Sequence, residues 1–521
     1  MRRFVVVAAL IASSALARAD LIGPALDAVG GGGGGGGGSG SGSGSGSDQV
    51  ANDLIDWAGE PQVTALPALL QVAVRQAPAL QNARYDIAIA DAQISETWIR
   101  HDWTIQAQAN GAKTLSAFDG LAVSSDQYGG TLDFTRLLPT GGTIDLHGGI
   151  SYSNDTFGPL GSQTLWQDLV TGGITQPLLK GRGEWLYDAN EKKAKLSRDS
   201  AVLARRLAAI TTVENVVSSY WDLVLAERQV AITEQSLALA RERLRVTQIG
   251  ADAGKTAHSE IPAVEQIIAT REEDVLNGEL AVLQASIALR RATGLPIGRG
   301  ELGLRVDSTL DIKEGTWDLG GLVERAFAAS PELAQLADQK ASTTVDIDVT
   351  ENALLPQLDA ALTIGPTGAE GSFDATAKDL AELKSVSIVG SLTFSRSIGQ
   401  HDVKGRAREL RTQREKIAVN AFDLRARLAQ TMTTAVAQLE LAQRRVVLSQ
   451  RAIELAKENI RIETDRFNLG TRTNFDVLNR LEDLRQAELR EAQAMVDWHK
   501  AEVVVQSLTG DLLPAFGITV D

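Results

Sequence analysis

The sequence contains no cysteine, which removes disulfides, thiol nucleophiles, thiolate metal sites and a lipidated N-terminal cysteine at one stroke. The redox compartment stays open. Histidine is sparse as well: His101, His147, His258, His401 and His499 are dispersed, and no closely spaced His/Asp/Glu set makes a zinc motif. Basic charge is in deficit, 51 Lys plus Arg against 66 Asp plus Glu, a net charge of −15 with both signs interspersed. That balance excludes a nucleic-acid binder that neutralises many phosphates. Gly141-Gly142 and Gly172-Gly173 lack the lysine and the strand-to-helix context of a phosphate loop, so neither enzyme chemistry nor a cofactor is expected. Beyond the first dozen residues no apolar run approaches the roughly 20 residues a helix needs to cross lipid. Any membrane crossing has to use strands.

Glycine is the one residue in excess, and the excess is local. Of 48 glycines, 13 fall within Gly30 to Ser47, a tract with no side chains to bury that predicts a flexible spacer. Ahead of it, Arg2 and Arg3 precede the apolar run Phe4 to Ala12 and the small-residue site Ala17-Arg18-Ala19. This is the pattern of a secretory signal over residues 1–19; an uncleaved anchor needs an apolar run about twice as long. Residues 20–60 are then the Gly/Ser-rich N-terminal segment.

The remainder alternates between two periodicities. Leu66, Leu69, Leu70, Ala73, Val74, Leu80, Ile87 and Ile94 hold helical spacing toward Trp98 and predict one long amphipathic helix. At Trp103 the period becomes two: Trp103, Ile105, Ala107 and Ala109 alternate with Thr104, Gln106, Gln108 and Asn110. Leu132 and Phe134 begin a second strand region, the turn Pro139-Thr140-Gly141-Gly142 follows, and Ile144 to Tyr152 alternates again. A third region, Trp166 to Gln176, is less regular. From Gly183 to Ile249 the chain is nearly free of Gly and Pro and predicts a rod of about 100 Å. A break at Ala253 to Thr256 precedes another helix, Ser259 to Ala292, with Ser259 placed to cap it.

The order then recurs. Leu322, Val323 and Phe327 open a helix, Leu358 to Ile364 and Leu383 to Ser395 read as strands, Ala407 to Leu469 as a second rod, and a last helix ends near Leu508. Gly254 to Gly294 spans 40 residues, as does Gly470 to Gly510, and one offset of 216 pairs Val230 with Val446, Leu244 with Ile460 and Thr293 with Thr509. Two tandem repeats follow, 61–298 and 299–512, with a tail at 513–521. Ser153 to Ser162 and Pro366 to Asp379, acidic and Gly-rich, fit external loops.

A strand with one apolar and one polar face separates lipid from an aqueous lumen if its sheet closes. Each chain offers few such strands while a barrel needs at least eight, so several copies have to share one barrel. The rods bury their stripes by packing side by side. The alternative is an exported structural or adhesive coiled-coil protein with small β domains, which accounts for the rods but less well for the returning two-faced strands.

With the duplication in place, the chain resembles the TolC-type outer membrane efflux family, the outer membrane factors of tripartite efflux or type I secretion systems. The resemblance covers roughly residues 60 to 512 and is carried by Phe467-Asn468-Leu469-Gly470-Thr471-Arg472-Thr473-Asn474-Phe475-Asp476-Val477-Leu478, by the strand-to-helix transition Gln176-Pro177-Leu178-Leu179-Lys180-Gly181, and by Thr293-Gly294-Leu295-Pro296. It implies a mixed α/β membrane protein: a homotrimer in which four strands per chain form a twelve-stranded barrel in outer membrane lipid, continuous with a long periplasmic α-helical barrel. It implies passage of substrates delivered by a periplasmic adaptor (membrane fusion) protein and an inner-membrane RND, ABC or MFS transporter, with no chemistry in the duct itself.

The resemblance also implies a periplasmic entrance beside the repeat turns Gly254 and Gly470. Arg472 aligns with a latch arginine, Asp476 with an acidic ring position, Phe467 with an aromatic latch position usually held by tyrosine, and Glu260 with an acidic latch position in the first repeat. Asn479 stands where a second acidic ring is expected, so one charge ring is missing, and Phe467 brings no hydroxyl. Arg472 is expected to bridge neighbouring helices by charged hydrogen bonds; the plain alternative is a set of solvated helix charges beside a turn. More strand-like segments occur in the first repeat than the two the family requires. Either Leu132 to Tyr152 is an added hairpin, or the strand at Trp103 is an entry segment.

Overall fold

The computed structural model describes residues 62–118, 121–156, 161–254, 257–298, 303–306, 310–313 and 315–519. The expected secretory signal and Gly/Ser segment lie outside them. The first repeat opens with β1 (Gln62–Thr64), α1 (Leu66–Gln76) and α2 (Pro78–Glu96). The single helix expected from Leu66 to Trp98 is thus two. Pro78 disfavours helical geometry at the residue before it, and Ala77 takes φ −58° and ψ 123°, after which Pro78 fits the first turn of α2 where no N–H is needed.

A 3₁₀ turn, Thr97–His101, leads into four strands: β2 (Thr104–Phe118), β3 (Leu121–Leu137), β4 (Thr143–Thr156) and β5 (Ser162–Pro177). A short helical turn, Glu184–Tyr187, precedes the first rod, α3 (Ala189–Asp252), and α4 (Ile261–Thr293) completes the repeat. The second repeat runs through β6 (Leu304–Val306), α5 (Leu319–Ala329), α6 (Pro331–Asn352), β7 (Gln357–Glu370), α7 (Phe373–Ala381), β8 (Val386–Ser395), the second rod α8 (His401–Asn468) and α9 (Asn474–Thr509). β1 and β6 pair in parallel, Val63 against Arg305, which clasps the start of one repeat to the start of the other.

The other six strands form one antiparallel sheet in the order β2-β3-β4-β5-β7-β8. The sheet thus holds six strands where four per chain were expected in the barrel. Of the two alternatives for the first repeat, the entry segment does not hold, since the segment after Trp103 is a full strand of the sheet, and Leu132 to Tyr152 is the hairpin of β3 and β4. β3 is longer than its alternation indicates, because Ser124-Ser125-Asp126-Gln127 and Gly129-Gly130 interrupt the apolar pattern while the backbone ladder continues from Thr104↔Thr135 to Phe118↔Leu121. The expected loops shrink for the same reason. β4 reaches Thr156 and β5 begins at Ser162, β7 extends through Pro366 to Glu370, and much of Pro366 to Asp379 is strand or α7. α7 lies on the sheet, with Phe373 against Trp166 at 5.5 Å between ring centroids. Leu383 sits outside β8 with φ +52°, a turn residue and not a strand residue.

The rods are 64 and 68 residues long, about 96 and 102 Å. In α8 the buried series Leu428, Ala435, Ala442, Ser449, Ala456, Glu463 and Met432, Leu439, Val446, Ile453 each repeat every seven residues. α3 does the same through Ala226, Thr233, Ala240 and Thr247. A strict seven-residue seam imposes a left-handed supercoil on packed helices, here α8 against α9 and α3 against α4. The largest core cluster joins the repeats midway: Leu69 and Leu70 of α1, Val213, Val216, Tyr220 and Leu223 of α3, Leu289 of α4, and Val496 and Val503 of α9.

Candidate functional site

The strand register sorts the sheet into two faces. Directly opposed residues share a face, and one face carries Ile105↔Phe134, Ala107↔Leu132, Phe134↔Leu146, Tyr128↔Tyr152, Ile174↔Leu362 and Ala360↔Leu392. The other carries Gln106↔Asp133, Gln108↔Thr131, Asp133↔His147, Thr135↔Asp145, Asp359↔Thr393 and Ala361↔Ser391. On that polar face His147 Nδ1 pairs with the Asp133 carboxylate. Asp168 is an exception, a buried carboxylate on the apolar side between Ile150 and Gly368.

Aromatic residues bound the apolar face at two levels. Away from the rods, Tyr128, Tyr152, Trp166 and Phe373 form a continuous row, with centroids 6.3, 4.8 and 5.5 Å apart. Toward the rods, Arg136 lies over Trp103 at 5.8 Å. Tyr128 and Arg136 are eight residues apart on β3. That is about 27 Å of strand and, at a tilt of about 40°, about 21 Å of height, close to the apolar band of a lipid-facing barrel.

Gln176 and Pro177 end β5, and Leu178 to Gly181 form the turn that redirects the chain into α3. This turn is a junction. Gln176 bonds Thr140 of the β3–β4 turn through Thr140 Oγ1 at 2.6 Å, Leu178 N donates to the Leu358 carbonyl at 2.7 Å, and Gly181 N donates to Asn352 Oδ1 at 2.9 Å. Both repeats and the β3–β4 hairpin therefore meet where sheet becomes rod.

At the opposite end of the rods, Gly254 (φ +70°) and Gly470 (φ +73°) close α3 and α8 in left-handed geometry that a side chain would strain. The polar contacts around them run within the chain. Arg472 Nε bonds Glu463 Oε1 at 3.1 Å, on the rod it has just left, and Arg466 approaches the same carboxylate at 3.5 Å. Glu463 occupies a seam position and its side chain is 12% exposed, so the guanidinium contacts compensate an otherwise costly buried charge. Asp476 accepts from Thr473 N at 3.0 Å and Thr473 Oγ1 at 2.9 Å, a capping box on the first turn of α9. Those bonds, chiefly the backbone one, with Arg472 and Arg480 nearby, hold its pKa below the ordinary carboxylate value.

Phe467 packs beneath Arg243 of α3, with the guanidinium 4.8 Å from the ring centroid. Burial lowers the Arg243 pKa from its usual value, and its Nε and Nη2 have no hydrogen-bond partner; the ring face is what faces the cation. Asn479 is exposed on α9. Glu260 precedes α4 and lines a groove with Ala263, Val264, Thr473, Asn474 and Phe475, beside the start of α9. Ser259 does not cap α4; it sits inside the 3₁₀ turn His258–Glu260.

Four residues of this end escape sequence reading: Glu463, Arg243, Thr247 and Asn474. Asn474 is 1% exposed and its Nδ2 donates to Thr247 Oγ1 at 2.6 Å, which fastens α9 to α3 across 227 residues of sequence. The signal available for Glu463 is its place in the heptad, a carboxylate where every other member is small or apolar.

The family model described as outer membrane efflux protein matches residues 69–295, the first repeat. Nodulation protein T of Rhizobium leguminosarum bv. trifolii is 20% identical over 371 residues, 68% of this chain and 74% of that protein. Outer membrane efflux protein BepC of Brucella suis biovar 1 is 22% identical over 300 residues, 57% and 63%. Among solved structures, the outer-membrane channel OprN superposes with TM-score 0.63 at 15% identity, covering 86% of this chain and 90% of that one. The CmeC outer membrane channel of Campylobacter jejuni gives 0.62 at 14%, covering 88% and 92%. These superpositions are likenesses of fold, and they extend over both repeats. The chain is therefore similar in sequence to the outer membrane efflux protein family over its first repeat, and shares the fold of outer-membrane channels, with its repeated order of strands, rod, turn and helix, over both.

Proposed function

We propose that the protein is a passive exit duct of the outer membrane, working in tripartite efflux or type I secretion. The carrying observation is the sheet: apolar on one face, polar on the other, bare at both edges, and joined without a break to rods of about 100 Å that no compact core requires. Three copies close the sheet into a barrel whose polar face, with Asp133, Asp145, His147 and Asp359, lines the lumen. The rods form the periplasmic helical barrel. The duct performs no catalysis; a periplasmic adaptor and an inner-membrane transporter of the RND, ABC or MFS type deliver the substrate and supply the energy.

The helix turns around Gly254 and Gly470 are the entrance. Arg472, held by Glu463, the Arg243–Phe467 contact and the Asn474–Thr247 hydrogen bond fasten it within each chain, while Asp476, Asn479 and Glu260 line its rim. The test is detergent extraction followed by reconstitution in planar bilayers. A detergent-stable trimer with steady conductance is expected, and a soluble or non-conducting rod overturns the reading.

A further inference from the structure

The second repeat contributes two strands to the sheet and the first contributes four, an asymmetry that duplication alone does not produce. We propose that the hairpin β2–β3 is part of the membrane wall, so that β8 of one copy pairs with β2 of the next and three copies close a barrel of eighteen strands. This rests on the exit-duct reading above and specifies its partner surface as a second copy of this chain.

Three observations carry it. First, β2 and β3 continue the two faces without a slip: Ile105, Ala107 and Ala109 share the side of Phe134 and Leu132, while Gln106 and Gln108 share that of Asp133 and Thr131. A one-residue slip would reverse this, so the register is that of a lipid-and-lumen wall. Second, β3 is not loosely attached. It pairs with β4 from Ser124↔Thr156 to Leu137↔Thr143, and removing the hairpin from the wall would break that whole ladder.

Third, both edges are bare in the single chain and carry exposed apolar side chains, with Ile105 62% exposed on β2 and Ile388 67% and Leu392 68% on β8. Unpaired backbone along strands of 15 and 10 residues cannot remain in hydrocarbon. Six strands alternate in direction, so β2 and β8 run oppositely and identical copies join antiparallel, closing a ring under three-fold rotation. With strands about 4.8 Å apart and tilted about 40°, eighteen give a backbone diameter of about 36 Å against about 24 Å for twelve, a ratio of about 1.5.

The absence of cysteine makes the edge directly testable. In the purified trimer, Ser391→Cys on β8 is combined in turn with Gln106→Cys, Gln108→Cys and Asn110→Cys on β2, all on the polar face, since the shear between copies selects one. Mild oxidation is expected to turn one combination into a covalent trimer on a denaturing gel. Cross-linking of Ser391→Cys to Ser151→Cys on β4 would instead mean that the hairpin has swung out of a twelve-stranded wall, and would overturn the proposal, as would a trimer that links to neither. Single-particle imaging of the unsubstituted protein in nanodiscs gives the second reading: eighteen strands support it and twelve refute it. A monomeric, non-conducting protein overturns the exit-duct reading itself and is seen by mass and conductance before any cysteine is introduced.

Discussion

Asn474→Ala is expected to loosen the proposed entrance by a defined amount. The Asn474 amide is buried and donates to Thr247 Oγ1 at 2.6 Å, while Thr247 itself donates to the Arg243 carbonyl at 2.7 Å. Deleting the amide therefore removes one neutral buried hydrogen bond and leaves the threonine hydroxyl still satisfied as a donor. The expected cost is about 1 kcal/mol, which corresponds to about a fivefold rise in the opening equilibrium of the first turn of α9. Hydrogen exchange at the amides of Val477 and Leu478 reads that equilibrium. Thr247→Val completes a double-mutant cycle with a coupling of the same size, because each substitution alone abolishes the same bond. Resting conductance should rise in the same order as exchange. Additive single effects, or exchange unchanged within twofold, would refute the claim that this bond fastens α9 to α3.

Three further outcomes follow from named contacts. Arg472→Glu or Glu463→Arg alone should raise resting conductance, and the double exchange should restore it, since the pair lies within one chain; a double variant as leaky as either single one refutes the pairing. His499 stacks on Trp221 at 3.9 Å between centroids, and burial holds its pKa down to about 4. Relative to an unfolded value of about 6.5, the folded state resists protonation, so this stabilisation is full above about pH 6.5 and is lost as pH falls toward 4, about 3 kcal/mol in total. Helical melts of the native protein should lose more stability between pH 6.5 and 4 than those of His499→Phe, which keeps the slope of the shifted carboxylates such as Glu227 and Glu502; equal slopes refute the assignment. Gly141→Ala should abolish stable trimer on native gels, because Gly141 has φ +87° and an added Cβ would run into the Gly181 carbonyl; normal assembly would refute the close approach.

Much of this architecture is legible along the chain because it is local. Both rods appear in the sequence, to within a turn at their C-terminal ends and within two turns at their N-terminal ends, since long Gly- and Pro-free periodicity has no competing reading. The turn glycines Gly254 and Gly470 appear through their common offset. The break at Ala77 is hidden because apolar spacing continues past Pro78, and only the backbone of the preceding residue reports it. The strand count fails at Gly129-Gly130 and Ser124 to Gln127, where the ladder is held by partners and not by apolar alternation. The entrance contacts are least legible. Arg472 and Glu463 are nine residues apart but meet only because the chain reverses at Gly470, and Asn474 finds Thr247 across two helices. No sequence period encodes such pairs.

Thr247 and Glu463 are separated by the same 216 residues that relate the two repeats. They hold the same position on the seams of α3 and α8, yet one takes a neutral amide and the other a guanidinium. A trimer would thus present six helical hairpins of two kinds in alternation, with near-equal frames and unlike fasteners. Added salt screens the Arg472–Glu463 contact, whose arginine is half exposed, and leaves the buried Asn474–Thr247 bond untouched. In the trimer proposed above, ionic strength and temperature would be separate handles on alternate wedges of one ring, which would then yield in two stages and not in a single sixfold motion.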